Sequence, residues 1–216
     1  MASPPSIRNL GIRDEVTALK RARTLAAAVV LFYEHGYQNT TLEMVADRLG
    51  VTKPFIYAHF TSKSELLAEI CSRGIASSLE AIDSVLPLRV PPTEKLRLLG
   101  ERFATAVLGS QMHIAIFSRE EKNLVAADLE RIDDMRRAFD RKLTALLRRG
   151  VETGEFSVPN ARLAALAIGG MVSWAYVWYR QDGALSIERV SAEMSRLILQ
   201  MVRAETPGGG RKRKKA

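Results

Sequence analysis

Residues 40–65 read TTLEMVADRLGVTKPFIYAHFTSKSE, and three helix starts fall inside that stretch. Thr40 and Glu43 have the Ser/Thr-x-x-Glu spacing of a capping box, in which each side chain bonds the other residue's backbone N–H. Thr52 stands before a second start, with Pro54 in the first turn, where a missing N–H is no loss. Ser62 and Glu65 repeat the box. The first two helices are only about two turns long and meet at Gly50. Val51 and Ile56 flank the Thr52 cap at the spacing of a hydrophobic staple. Two short helices joined by a glycine turn make a helix-turn-helix, which lays its second helix in the DNA major groove.

Short helices are marginal alone in water and must be held by packing. Upstream, Asp14 to His35 carries Leu25, Ala28, Val29, Phe32 and Tyr33 at three- and four-residue spacing, and Gly36 stands at its stop. Downstream, a helix is expected from Lys63 to about Leu86, ended by Pro87, Pro91 and Pro92. These two supply the holding surface. The second short helix, Lys53 to about His59, then keeps an outward face. Lys53, Pro54 and Phe55, with Thr52 before them, lie at its N-terminal end, where a recognition helix meets base edges. Tyr57, His59 and Lys63 carry polar tips suited to phosphate oxygens, and Thr40 and Thr41 offer the same at the first short helix. Tyr57 is also readable as a core aromatic, and His59 as a C-terminal cap. Phe60 is assigned to the core, as the aromatic that fastens the recognition helix to the body.

The charge count makes position matter more than amount. Of the net +8, five charges come from Arg211, Lys212, Arg213, Lys214 and Lys215 at the extreme C-terminus. Residues 1–70 hold eight Lys/Arg against seven Asp/Glu. A nearly neutral head must bind DNA through a few well-placed cations. A single cysteine, Cys71, excludes an intrachain disulfide and fits a reducing compartment. No apolar run reaches the ~18 residues of a membrane span, and MASPPSIRNL lacks the apolar stretch of a signal peptide. A cytoplasmic location, with no membrane partner, is the expectation.

The rest of the chain reads as helix, for an all-α total of about nine. Helices are expected from Thr93 to about Leu108, Met112 to Ser118, Glu120 to about Thr153, Asn160 to Arg180, and after a Ser186 cap. The domains expected are a flexible N-terminus (1–12), a helix-turn-helix domain (13–62), a ligand-binding and dimerisation domain (63–204), and a disordered basic tail (205–216). Small residues at Ala164, Ala167 and Gly170 permit close approach of a partner helix, and Val190, Met194, Leu197 and Met201 form one face of the last helix. These are the expected homodimer interface; burial within one subunit is the alternative. Trp174 and Trp178, four apart, share a helical face. With Phe103, Met112, Phe117 and Met171 they are candidates to line an apolar cavity, with Arg119 and Arg180 at its rim. The same residues are equally readable as an ordinary aromatic core. His35, His59, His113 and Cys71 have no metal-ligand spacing, the side-by-side pairs Glu120–Glu121 and Asp133–Asp134 are no acid/base pair, and no glycine-rich phosphate loop is present. No enzyme activity, metal or cofactor is expected.

The segments LAAAVVLFYEHGY, TTLEMVADRLGV and TKPFIYAHFTSKSELL, between Ala22 and Leu67, resemble the DNA-binding domain of the TetR (tetracycline-repressor) family. The resemblance implies a homodimeric repressor of a palindromic operator, with Thr52 to Phe55 facing the groove and Tyr57, His59 and Lys63 facing phosphates. FSREEKNL at 117–124, LRRGVETGEF, and the W-x-Y-x-W-Y-R-x-D-G stretch resemble the branch that controls catabolic genes and responds to acyl-CoA thioesters. That implies a small-molecule inducer of the acyl-CoA class. A regulator of efflux or stress genes answering to another hydrophobic ligand is the alternative, and a helical enzyme or protein-binding adaptor ranks lower.

Overall fold

The computed structural model describes residues 8–203, so the expected basic tail lies outside the described residues. The architecture is all-α, with helices α1 (Arg8–His35), α2 (Leu42–Leu49), α3 (Lys53–Tyr57), α4 (Lys63–Val85), α5 (Pro92–Gly109), α6 (Gln111–Glu120), α7 (Ala126–Glu152), α8 (Ala161–Ser173), α9 (Ala175–Trp178) and α10 (Ile187–Val202). A 3-10 turn covers Glu121–Asn123, and one isolated bridge joins Phe156 to Arg203. α1 begins before Asp14, so residues 8–12 are helical. Trp174, between α8 and α9, keeps helical dihedrals (φ −66°, ψ −14°), so the two run on with little break.

The chain divides into two compact units. The first runs through Ala76 and takes in Ser110–Asp134; the second comprises Ser77–Gly109 and the chain from Met135 on. The first unit is thus larger than a head ending at residue 62. The reason is its core, which needs cover from both sides. Phe32 of α1, Val45 of α2, Ile56 of α3 and Phe60 are fully or almost fully buried, together with Leu66, Leu67 and Ile70 of α4, Ile116 of α6 and Ile132 of α7. Each such side chain contributes about 1.5–3 kcal/mol through burial, which is what makes two short helices stable. Tyr33, expected on the apolar face of α1, is 43% exposed.

The second unit is organised by α5 against α10. Leu96, Leu99, Phe103 and Val107 of α5 and Val190, Met194, Ile198 and Val202 of α10 are buried. Gly100 lets the two backbones close up, because a Cβ there would stand 2.8 Å from the Ser195 Cα. Ser195 in turn donates its hydroxyl to the Arg97 carbonyl at 2.7 Å. After α7, Gly154 takes a left-handed turn (φ +76°) that folds Phe156 back onto Gly150. α8 and α9 bury only their Ala165, Ile168, Val172 and Ala175 side. Ala161–Trp178 has a mean hydropathy of 1.2 over 18 residues, yet only 22% of it is buried within the chain. By length and composition alone this window reaches the membrane-span threshold that no stretch was expected to meet.

Candidate nucleic-acid interface and effector cavity

The helix-turn-helix forms where expected, one residue out of register at its first cap. Thr41, not Thr40, caps α2: the Met44 N–H donates to its Oγ1 at 3.2 Å. Thr40 is fully buried, and its hydroxyl donates to the Leu31 and Gly36 carbonyls at 3.2 and 2.9 Å. Its side chain therefore closes the α1–α2 connection and is unable to meet DNA. Gly50 is left-handed (φ 65°), and the Val51 N–H reaches back to the Ala46 carbonyl at 3.0 Å, ending α2 in a Schellman-type turn. Thr52 starts α3 through its carbonyl, which accepts from Phe55 N–H at 2.9 Å, and its side chain makes no cap bond. Ser62 caps α4 as expected, with the Glu65 N–H at 3.0 Å from its Oγ. Glu65, however, reaches back to the N–H and hydroxyl of Thr61, at 2.7 and 2.8 Å.

α3 presents Lys53, Pro54 and Tyr57 to the outside, with Tyr57 48% exposed. The Lys53 Nζ lies 6.0 Å from the Tyr57 ring centroid and is ion-paired with Glu43 of α2. Phe55 differs from the groove-facing role expected of it. Its ring is partly buried against the head core, meets the His59 ring edge-on at 5.2 Å, and has Lys20 Nζ 5.7 Å from its centre. A residue one step from Pro54 on a helix points about 100° away, which turns Phe55 inward. His59 is half-buried by the same contact.

Lys63, expected to face phosphates, has its ammonium engaged within the head. Its ammonium donates to the carbonyls of Tyr37 (2.9 Å), Gln38 (3.4 Å) and Thr40 (3.0 Å) and lies 4.3 Å from the Tyr37 ring centre. Those three acceptors use all three of its donors. It fastens the α1–α2 connection to α4. Arg21, which spacing did not single out, does the matching work on the other side. Its guanidinium holds Glu65 and Glu69 at 3.0 Å, donates to the His59 carbonyl, and stacks 4.0 Å from the Phe60 ring centre. Burial pushes the Glu65 carboxyl up, but the Thr61 donors and Arg21 outweigh it and hold it below the usual carboxylate range.

In the second unit a cavity of about 520 Å³ is lined by Met171, Trp178, Leu185, Val190, Met194 and Leu197, with Arg189 and Glu193 as its charged groups. Of the expected ligand residues, Met171 and Trp178 line it. Trp174 does not and is 62% exposed. Phe103 packs into the α5–α10 core against Phe139, ring centres 4.6 Å apart. Arg180 is turned outward and paired with Asp182 at 2.9 Å. Met112, Phe117 and Arg119 belong to the first unit. There Phe117 is head core, Met112 is 39% exposed, and Arg119 stacks 4.8 Å from the Tyr33 ring centre. Helical spacing gives a residue's face but not the unit its helix joins.

The dimer residues also divide. Val190 and Met194 are buried within the chain, 5% and 6% exposed, because α10 turns that side to α5. Ala164 is half-buried, and Ala167, Gly170, Leu197 and Met201 are exposed. Around them, Leu163, Leu166, Trp174, Val177, Trp178 and Leu185 are exposed apolar side chains, most of which spacing had not singled out.

Two family models match the chain. One, described as bacterial regulatory proteins of the tetR family, matches residues 25–70, and the other, a tetracyclin repressor-like C-terminal domain, matches residues 89–202. The HTH-type transcriptional repressor KstR2 of Rhodococcus jostii is 28% identical over 187 residues, covering 83% of this chain and 89% of that one. The crystal structure of the TetR family regulator PfmR from Thermus thermophilus is similar with a TM-score of 0.75 and 32% identity, over 82% of this chain and 97% of that one. AibR in complex with isovaleryl coenzyme A and operator DNA has the same fold, with a TM-score of 0.69 and 23% identity, over 85% of this chain and 98% of that one. The exposed α3 of a helix-turn-helix, the second, helical unit and these matches agree: the chain belongs to the TetR family of DNA-binding transcriptional regulators.

Proposed function

We propose that the chain is a homodimeric transcriptional repressor of a palindromic operator, cytoplasmic in location, whose DNA affinity falls when a small-molecule inducer binds the body. The observation that carries the DNA half is the exposure of Lys53, Pro54 and Tyr57 together on one side of α3. Thr52 and the Thr41 cap join them as DNA-facing groups, and His59 stands at the edge of the set. With a head so nearly neutral, binding depends on these positions and on the positive N-terminal end of α2.

Dimerisation is supported by the uncovered apolar side of α8–α10. Leu163, Leu166, Trp174, Val177, Leu197 and Met201 would stand in water on a monomer. Contiguous apolar surface of this kind marks an interface, and a reader of two half-sites needs twofold symmetry. Gly169 and Gly170 have nothing within 4 Å of an added Cβ, so a partner helix has room to approach.

The inducer half rests on the cavity by Met171, Trp178 and Met194, whose walls are apolar and whose charges are Arg189 and Glu193. An apolar slot with one cation suits an acyl thioester whose phosphates meet arginine, and the likeness to AibR, solved with isovaleryl coenzyme A, makes acyl-CoAs the first class to try. An uncharged hydrophobic inducer is the second reading, favoured by how few polar groups line the cavity. A ligand that binds more tightly to a form unable to span two half-sites lowers operator affinity by the ratio of its affinities for the two forms. The test is fluorescence anisotropy on duplexes flanking the protein's own gene, with and without short-, medium- and long-chain acyl-CoAs. Release by an acyl-CoA at micromolar concentration is expected. Binding unmoved by every acyl-CoA, but reversed by a CoA-free hydrophobe, would select the second reading.

A further inference from the structure

We infer that Glu43 and Lys53 together read one G·C base pair in each operator half-site. The inference rests on the DNA-binding reading above and names what that face recognises. Glu43 lies in the first turn of α2 and Lys53 opens α3. The turn at Gly50 brings them into an ion pair whose side chains remain about half exposed, 53% and 48%. Surface pairs of this kind add little to stability. An acid on a face that meets phosphates also opposes binding of any DNA. An acid in the first turn of α2 favours that helix's N-terminus, but helix stability does not require its pairing with Lys53, and general DNA affinity is opposed by it; base selection accounts for the pairing.

The chemistry fits one base pair best. Lys53 has three donors, and Glu43 takes one, leaving two. The Glu43 carboxylate also takes hydrogen bonds from its own backbone N–H and the Thr41 side chain, and its two oxygens, with about four lone-pair sites, retain capacity to accept one more. Hydrogen bonding to Lys53 holds this carboxyl below the usual range, so it is acceptor-only at neutral pH. The major-groove edge of G·C offers two acceptors, N7 and O6 of guanine, beside one donor, the cytosine N4 amino group. Two donors beside one acceptor on the protein match that order. A C·G pair reverses it, setting the ammonium against an amino group and the carboxylate against O6. A·T sets the carboxylate against thymine O4. T·A presents one acceptor and one donor in the right order, but it offers the ammonium a single acceptor beside a methyl group. The expected preference is G·C, then T·A, then the other two.

The experiment measures affinities of the full chain for its operator with each base pair varied symmetrically, at two salt concentrations. Wild type, Glu43→Ala, Lys53→Ala and the double variant are compared after thermal melts show each is folded. Wild type is expected to prefer G·C at one position by roughly 5- to 150-fold, as for a good bidentate contact. Glu43→Ala is expected to erase that preference at that position alone while raising affinity for non-specific DNA. Lys53→Ala is expected to erase it too, lowering non-specific affinity and the salt slope by about one contact. The double variant is expected to lose no more discrimination than either single variant. If Glu43→Ala strengthens all sequences equally and keeps every base preference, Glu43 only masks charge and the inference is overturned. Wild type without sequence-specific binding would instead overturn the DNA reading, and this inference with it.

Discussion

The two units leave different groups outward on their candidate faces. In the first, the polar groups beside α3 are already bonded within the head: Lys63 to three carbonyls, Arg21 to two carboxylates, Thr40 to two carbonyls. Left outward there are Lys53, Pro54 and Tyr57, with Glu43 and the Thr41 and Thr52 side chains. In the second unit apolar groups are left outward along α8, α9 and the far side of α10; the first unit also exposes apolar side chains, among them Ile12, Val16 and Leu19 of α1. A head that reads by position must be rigid, so its ions serve as ties. A body that assembles and binds a ligand keeps apolar surface for those contacts. The difference teaches that the proposed DNA face is defined by the few side chains the head leaves outward, and the proposed interface by apolar side chains the chain leaves uncovered.

The largest break in that comparison would come from the head core. Phe60→Ala removes a fully buried ring beneath Arg21 and is expected to cost about 3–5 kcal/mol, read in urea unfolding followed in the head. The exposed Trp174→Ala should change unfolding by no more than about 0.5 kcal/mol at concentrations where the chain is monomeric and show itself as weaker self-association. Equal stability losses from the two would erase the distinction. Gly100→Ala comes next. Its Cβ would press on the Ser195 backbone, and overpacking of this kind costs about 1–3 kcal/mol. A melting temperature unchanged from wild type would mean that α5 and α10 are not held so close.

Lys63→Ala sharpens the comparison further. As a tie it should lower stability by about 1–3 kcal/mol, because three loop carbonyls lose a charged donor. As a phosphate ligand it would leave stability alone and reduce the salt slope of DNA binding by about one. Unfolding and salt titration on one preparation separate these roles. The smallest effect is expected from His113. Burial, with Arg73 nearby, lowers its pKa below the ordinary 6.5. The unfolded chain then binds the proton more readily, so stability should fall as pH drops below about 6.5. His113→Gln should flatten that part of the pH profile, and an unflattened profile would place the acid sensitivity elsewhere.

Local rules made the head legible. Thr41, Gly50, Thr52, Pro54 and Ser62 act within four residues of themselves, so spacing shows them, with one slip of register at Thr40. What spacing hides is the partner across the chain. Lys63 finds carbonyls 23 to 26 residues away, and nothing in its neighbourhood distinguishes that from reaching for a phosphate. Phe117 and Phe103 are both apolar on helices, yet one fills the head and the other the body. The tryptophans were visible as a cluster but not as a surface, because composition is the same for a core and for an uncovered interface. Glu43 was legible as a cap residue only; its pairing with Lys53 depends on the angle between two helices.

The central claim is that two copies of this chain read one operator through the exposed side of α3. The most direct test is the mass, by sedimentation equilibrium, of the complex with a single palindromic site, for wild type and Tyr57→Ala. The account predicts two chains per duplex for wild type and a complex lost or weakened at least tenfold by the substitution, with the fold intact. One chain per duplex, or a complex that the Tyr57 change leaves untouched, would contradict it.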